Sequence, residues 1–153
     1  MSLQNVTASG NNLVKTGGAC DGCPDGNAVS ESQISGNGVV DFVAPENGTL
    51  RYVGLGSGGP GTAAGDLHFA LRLQNGVVEV RESGAYKTEV GFAAGDVFQI
   101  TMEIGVVRYW KNGSLFYTST STAPSAMRVH VAMFNAGAAL ANVTVMTGNN
   151  EGN

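Results

Sequence analysis

The chain has 153 residues, a net charge of −4, and charged side chains at 13% of positions. That length suits a single domain and buries roughly 68–70% of the unfolded surface, enough for a core without metal or disulfide staples. The eight basic residues are scattered from Lys15 to Arg128 and make no phosphate-binding cluster, which argues against a nucleic-acid partner.

No apolar run approaches the ~20 residues of a membrane span. No basic segment followed by an apolar one opens the chain, so a secretory leader is expected to be absent or removed. Met1-Ser2-Leu3 and Glu151-Gly152-Asn153 read as cloning remnants without a role, and residues 4–150 are taken as one domain.

Taken in chain order, the apolar residues alternate with period two. Short β-type runs occupy 12–15, 28–34, 39–44 and 50–55. In 67–73 the odd positions are apolar, with His68, Ala70 and Arg72 between them. Further runs follow at 77–81 and 86–92. In 97–104 the even positions are apolar, and Gln99, Thr101 and Glu103 alternate with them. Runs at 106–110 and 115–119 follow. In 127–133 Met127, Val129, Val131 and Met133 alternate with Arg128, His130 and Ala132, and 140–145 closes the series. Each run reads as a strand with one face on a core and one toward solvent. About a dozen such strands, punctuated by 23 glycines, predict an all-β, two-sheet antiparallel sandwich or a barrel.

Two turns are specific. Asn75-Gly76 and Asn112-Gly113 lie between β-type runs, where both residues tolerate positive φ. At the second, a three-residue loop Lys111-Asn112-Gly113 pairs Trp110 with Ser114. It sends Val107, Tyr109, Leu115 and Tyr117 inward, and Arg108, Trp110 and Phe116 outward. The glycine-rich stretch 58–65 is a long loop suited to a binding edge.

Gly95-Asp96-Val97-Phe98-Gln99-Ile100, the run from Gly105 through Tyr109-Trp110-Lys111-Asn112-Gly113, and Tyr117-Thr118-Ser119 together resemble a recurrent stretch of concanavalin A-like sandwich domains. The same stretch resembles strands of SPRY domains, which share that broad fold. Asn12-Leu13-Val14-Lys15-Thr16, Gly38-Val39-Val40-Asp41-Phe42 and Asp66-Leu67-His68-Phe69-Ala70-Leu71 are similar to pieces of bacterial domains of this kind. The resemblance spans residues 12–145 and implies a jelly roll. Its function is left open, because the fold hosts lectins, glycan hydrolases, adhesins and protein-recognition modules.

Concanavalin A-like glucanases carry carboxylates at E-x-D-x-x-E spacing, and this chain has no such motif. Its nearest approach, Glu79 and Glu82, places the two carboxylates on opposite faces of a straight strand, at a solvated strand end. No catalytic residue is therefore assigned. Cys20-Asp21-Gly22-Cys23 admits a disulfide closing a glycine-rich loop, a pair of free thiols, or half of a zinc site, for which no second ligand pair follows. No cofactor is assigned. Asp21, Asp25 and Asn27 offer calcium its oxygen ligands, and Asx-turn chemistry explains the same residues. Asn5, Asn47, Asn112 and Asn142 begin N-x-[ST] sequons, which arise easily in a chain this rich in Asn and Thr.

Trp110, the single Trp, offers with Phe116 a flat apolar face on which the C–H-rich face of a sugar packs, with Arg108 beside it for hydroxyls. Alternatively it covers a neighbouring strand or fills an oligomer contact. Arg128 and His130, if outward, either bind sugar hydroxyls or are plain solvated strand residues. The expectation is a non-catalytic carbohydrate-binding or adhesion module, extracellular or at the cell surface, with a glycan or polysaccharide as partner. The competing expectation is a structural or protein-interaction domain, such as a trimeric jelly roll in a fibre or a SPRY-like module, with Trp110 and Phe116 in a homo-oligomer contact. A glycoside hydrolase is the third.

Overall fold

The computed structural model describes residues 1–148; Asn149 and Asn150 of the expected 4–150 span, and Glu151-Gly152-Asn153, lie outside the described residues. Among the described residues, fourteen strands form two antiparallel seven-stranded sheets that pack face to face. The first sheet contains β1 (Ser2–Gln4), β4 (Gly26–Ile34), β13 (Met127–Met133), β6 (Arg51–Gly56), β7 (Phe69–Gln74), β8 (Val77–Glu82) and β9 (Ala85–Gly91), in that spatial order. The second contains β12 (Ser114–Thr118), β11 (Val106–Lys111), β10 (Val97–Glu103), β5 (Gly38–Val43), β14 (Ala139–Thr147), β3 (Asn12–Lys15) and β2 (Val6–Ser9). Neighbours that are distant in sequence, such as β4–β13 and β5–β14, make this a jelly roll rather than a series of hairpins. The described residues contain no helix long and apolar enough to cross a membrane.

The expected alternation sets the core. Val53, Leu55, Phe69, Leu71, Val129 and Val131 project from the first sheet, and Val40, Phe42, Phe98, Ile100, Val107 and Tyr109 from the second. Phe42 and Phe98 stack with ring centroids 5.4 Å apart, and Phe92 meets Phe98 edge-on at 5.7 Å. Gly54 is required by packing: a Cβ there would lie 2.3 Å from the Phe69 carbonyl oxygen, so β6 and β7 approach closely only because that position has no side chain.

Three local expectations are corrected. The chain start is not idle: Ser2–Gln4 pair with Asn27–Val29 as an edge strand, and β2 is a second strand outside the expected set. The β11–β12 hairpin has a two-residue loop, with Lys111 opposite Ser114 and positive φ at both Asn112 and Gly113. The type I′ turn matches strand twist without a third residue, and the extra residue falls instead in a bulge opposite the Tyr109–Trp110 step. Leu115 therefore joins Trp110 on the outer face, while Phe116 packs against the core beside Tyr117.

The third concerns Glu82, which is 4% exposed rather than solvated. Its position on β8 is inward, as the alternation with Val78 and Val80 requires. Across the sheet interface it accepts hydrogen bonds from Tyr109 Oη at 2.9 Å and Ser119 Oγ at 3.0 Å. Burial first, and the Glu82 charge second, push the Tyr109 phenol far above its ordinary value, so it stays a donor. Glu79 lies on the outer face with Arg81 Nη2 at 2.6 Å.

Candidate functional site

The outer face of the second sheet carries a groove of about 1020 Å³. It crosses β12, β11, β10, β5 and β14, four strand spacings or about 19 Å. Register builds its floor: Arg108 pairs with Thr101, Thr101 with Val39, and Val39 with Met146. Leu115, 47% exposed, and Met146, 61% exposed, flank that row. The indole of Trp110 is half-buried, and its Nε1 donates to Thr101 Oγ1 at 2.9 Å. Thr101 is the diagonal neighbour of Trp110 across the β10–β11 pair, so the ring lies over the sheet rather than standing up from it. Arg108 Nη1 sits 3.9 Å from Glu103 Oε1, a loose surface pair that leaves both groups free for other partners. Among the described residues lining the groove, Glu103 is the one carboxylate and Arg108 the one cation.

Trp110 and Arg108 thus share one site. Phe116 does not belong to it, because the bulge turns it onto the core. His130 and Arg128 lie on the opposite sheet, on the outer face of β13, and do not meet the groove. Neither is a plain solvated residue. The Arg128 guanidinium donates to the carbonyl oxygens of Ser30 and Glu31 at 3.1 and 2.9 Å. His130 is 3% exposed, because the glycine-rich loop after β6 folds over it, and its Nε2 donates to the Gly58 carbonyl at 3.2 Å. Burial holds its imidazole below the ordinary value, only partly offset by the carbonyls of Gly58 and Gly56. His68 holds the same loop through Ser57 Oγ at 3.1 Å.

Cys20 and Cys23 are joined by a disulfide. The loop they close is fastened by Lys15, 2% exposed, whose ammonium donates to the carbonyl oxygens of Phe134 at 2.6 Å, Cys23 at 2.9 Å and Cys20 at 3.3 Å, and lies 2.8 Å from Asp25 Oδ1. Asp25 also accepts from Ala19 N at 2.7 Å, and Asp21 from Ala136 N at 2.9 Å. The Lys15 hydrogen bond, then the Ala19 amide, hold the Asp25 carboxyl below its ordinary range. Asp21 and Asp25 thus have oxygens engaged by protein donors, and Asn27 lies in register on β4 against β1.

Thr101, Leu115, Val39 and Met146 were not singled out in the sequence. Their outward parity was readable for Thr101, but nothing local reveals that β10 lies between β11 and β5, or that β14 follows β5.

No protein-family model matches the chain, and no curated protein matches it by sequence. In three dimensions it is similar to a human SPRY domain, with a TM-score of 0.71 at 14% identity over 99% of this chain and 100% of that one. It is similar to the carbohydrate-binding module CBM66 from Bacillus subtilis, with a TM-score of 0.69 at 11% identity over 95% and 94%. The carbohydrate recognition domain of Emp46p, in its metal-free form, gives a TM-score of 0.67 at 11% identity over 97% and 88%. An alginate lyase of polysaccharide lyase family 7 shares the architecture with a TM-score of 0.58. These likenesses establish the concanavalin A-like jelly-roll fold.

Proposed function

We propose that the chain is a non-catalytic carbohydrate-binding module acting outside the cell or at its surface, and that it takes a neutral polysaccharide in the groove over β10 and β11. The observation that carries this reading is the Trp110 ring laid along a sheet-face groove with Arg108, Thr101 and Glu103 beside it. Aromatic and aliphatic surfaces take the C–H faces of sugars, while the polar groups among them orient hydroxyls. The single Arg108 charge is matched by Glu103, which leaves no net positive field for a uronate chain. A retaining or inverting hydrolase needs two carboxylates about 5–9.5 Å apart, and the groove lining supplies Glu103 alone. The Cys20–Cys23 disulfide suits an oxidising compartment.

A second reading, a protein-recognition or self-association surface, is favoured by exposed Leu115 and Met146 in the same groove and by the SPRY likeness. Affinity electrophoresis through gels containing hydroxyethylcellulose, xylan, galactomannan or laminarin, with alginate as the charged control, separates the two. Retardation by a neutral polymer that Trp110→Ala abolishes, with the far-ultraviolet spectrum unchanged, is the expected result. Unretarded migration in every gel, together with a stable oligomer by light scattering, refutes the carbohydrate reading and leaves the second.

A further inference from the structure

Four hairpin turns share one backbone geometry. Asn75-Gly76, Ser83-Gly84, Ile104-Gly105 and Asn112-Gly113 all have positive φ at both residues. At the first position Asn is the ordinary occupant, and Ser is small enough to be carried there. Ile104, with φ of 49°, is β-branched in a region such residues avoid. The residue is also 85% exposed, above every other exposed large hydrophobic residue described. The position therefore costs stability through backbone strain and presents an unburied apolar group, with nothing in the fold in return. Nor is the turn loose: Ile104 N donates to Asn37 Oδ1 at 2.9 Å, and Gly105 N to the Gly36 carbonyl at 3.0 Å. Asn37 and Glu103, on either side of this anchor, both line the groove, and Val106, on the groove face of β11, is 36% exposed.

We infer that Ile104 is a binding residue of the groove, an apolar contact fixed at its lip that covers the C–H face of a sugar unit lying beyond the reach of Trp110. The inference rests on the carbohydrate reading above and extends it. Trp110 and Val106 are four residues apart on β11, about 13 Å. A ligand that touches both Trp110 and the β10–β11 turn is longer than one sugar ring, so the site reads a polymer segment rather than a monosaccharide. Strain at a ligand-contacting turn is the expected pattern where stability has been given up for binding.

The test compares wild type with Ile104→Asn and Ile104→Leu by affinity electrophoresis in the same neutral-polysaccharide gels, and by thermal unfolding. The Asn variant is expected to bind about tenfold more weakly, the scale of losing one buried aliphatic contact. Its Tm should rise by about 2–6 °C as the strain is relieved. Ile104→Leu, still apolar, is expected to bind within about threefold of wild type. An Asn variant that binds as tightly as wild type overturns the assignment, and so does one whose Tm falls, because the turn then needs isoleucine for folding. If wild type is retained by no neutral polysaccharide, the carbohydrate reading fails and takes this inference with it; the preceding outcomes, in contrast, leave that reading intact.

Discussion

Tyr109→Phe removes one atom from the middle of the protein and tests whether the buried Glu82 cluster joins the two sheets. Tyr109 is fully buried on β11, and its hydroxyl is a donor to Glu82 Oε2 at 2.9 Å across the core. Glu82 keeps its second donor, Ser119 Oγ at 3.0 Å, but loses the first at a position only 4% exposed. A hydrogen bond to a charged group contributes about 1.5–3 kcal/mol, so a loss of about 2 kcal/mol is expected. For a chain of this length that lowers Tm by roughly 4–8 °C. Urea unfolding at neutral pH should show a lower midpoint at unchanged slope, since the fold and the surface exposed on unfolding stay the same. A cycle with Glu82→Gln should return a coupling of about 1–2 kcal/mol between the two positions. A Tyr109→Phe protein that melts within a degree of wild type would refute the reasoning, showing that the cluster is hydrated or loosely formed and does not tie the sheets.

Three further predictions concern two other buried polar groups, Lys15 and His130, and one packing contact. Lys15→Met leaves three backbone carbonyls without their shared donor and should cost roughly 3 kcal/mol, with hydrogen exchange across residues 16–25 accelerating ahead of the sheets. Gly54→Ala drives a methyl into the Phe69 carbonyl and should lower stability by about 1–3 kcal/mol, read as the guanidinium midpoint. His130 should give stability a step with pH. Its folded pKa lies below the unfolded 6.5, so the unfolded chain takes up the proton first, and Tm falls as pH drops from about 6.5 toward the folded value. His130→Gln should remove that step. It should leave the later loss of stability as pH falls below about 4.5 for Glu46 and 3.8 for Asp96, where the unfolded chain takes up protons before the fold, which holds both carboxyls lower. In Glu46, hydrogen bonds from Thr49 and Gly48 and the Arg51 charge outweigh burial; in Asp96 the Ala93 amide, then Asn112, lead.

Period-two alternation is a property of the chain itself. For that reason the strands from β3 onward, the inward rows of Leu71, Ile100 and Val129, and the places of the turns at Asn75 and Asn112 were legible in the sequence, as was the outward direction of Trp110 and Arg108. Parity survives whatever the strand's neighbours are, because each side chain's face follows from backbone geometry. It fails wherever one residue is inserted. The bulge opposite Tyr109–Trp110 exchanged Phe116 for Leu115 on the outer face, and no local signal distinguishes that from a three-residue loop.

Parity also names a face without saying what covers it. His130 points outward as the pattern requires, yet the loop after β6 buries it, and Glu82 points inward and finds partners on the other sheet. Strand order lies further still from the sequence. That β10 sits between β11 and β5, and that β14 joins beyond β5, is set by how the two sheets close over one core, through contacts between residues far apart in the chain. The groove exists only in that order, since each of its five strands contributes between one and three residues and none contributes a site alone.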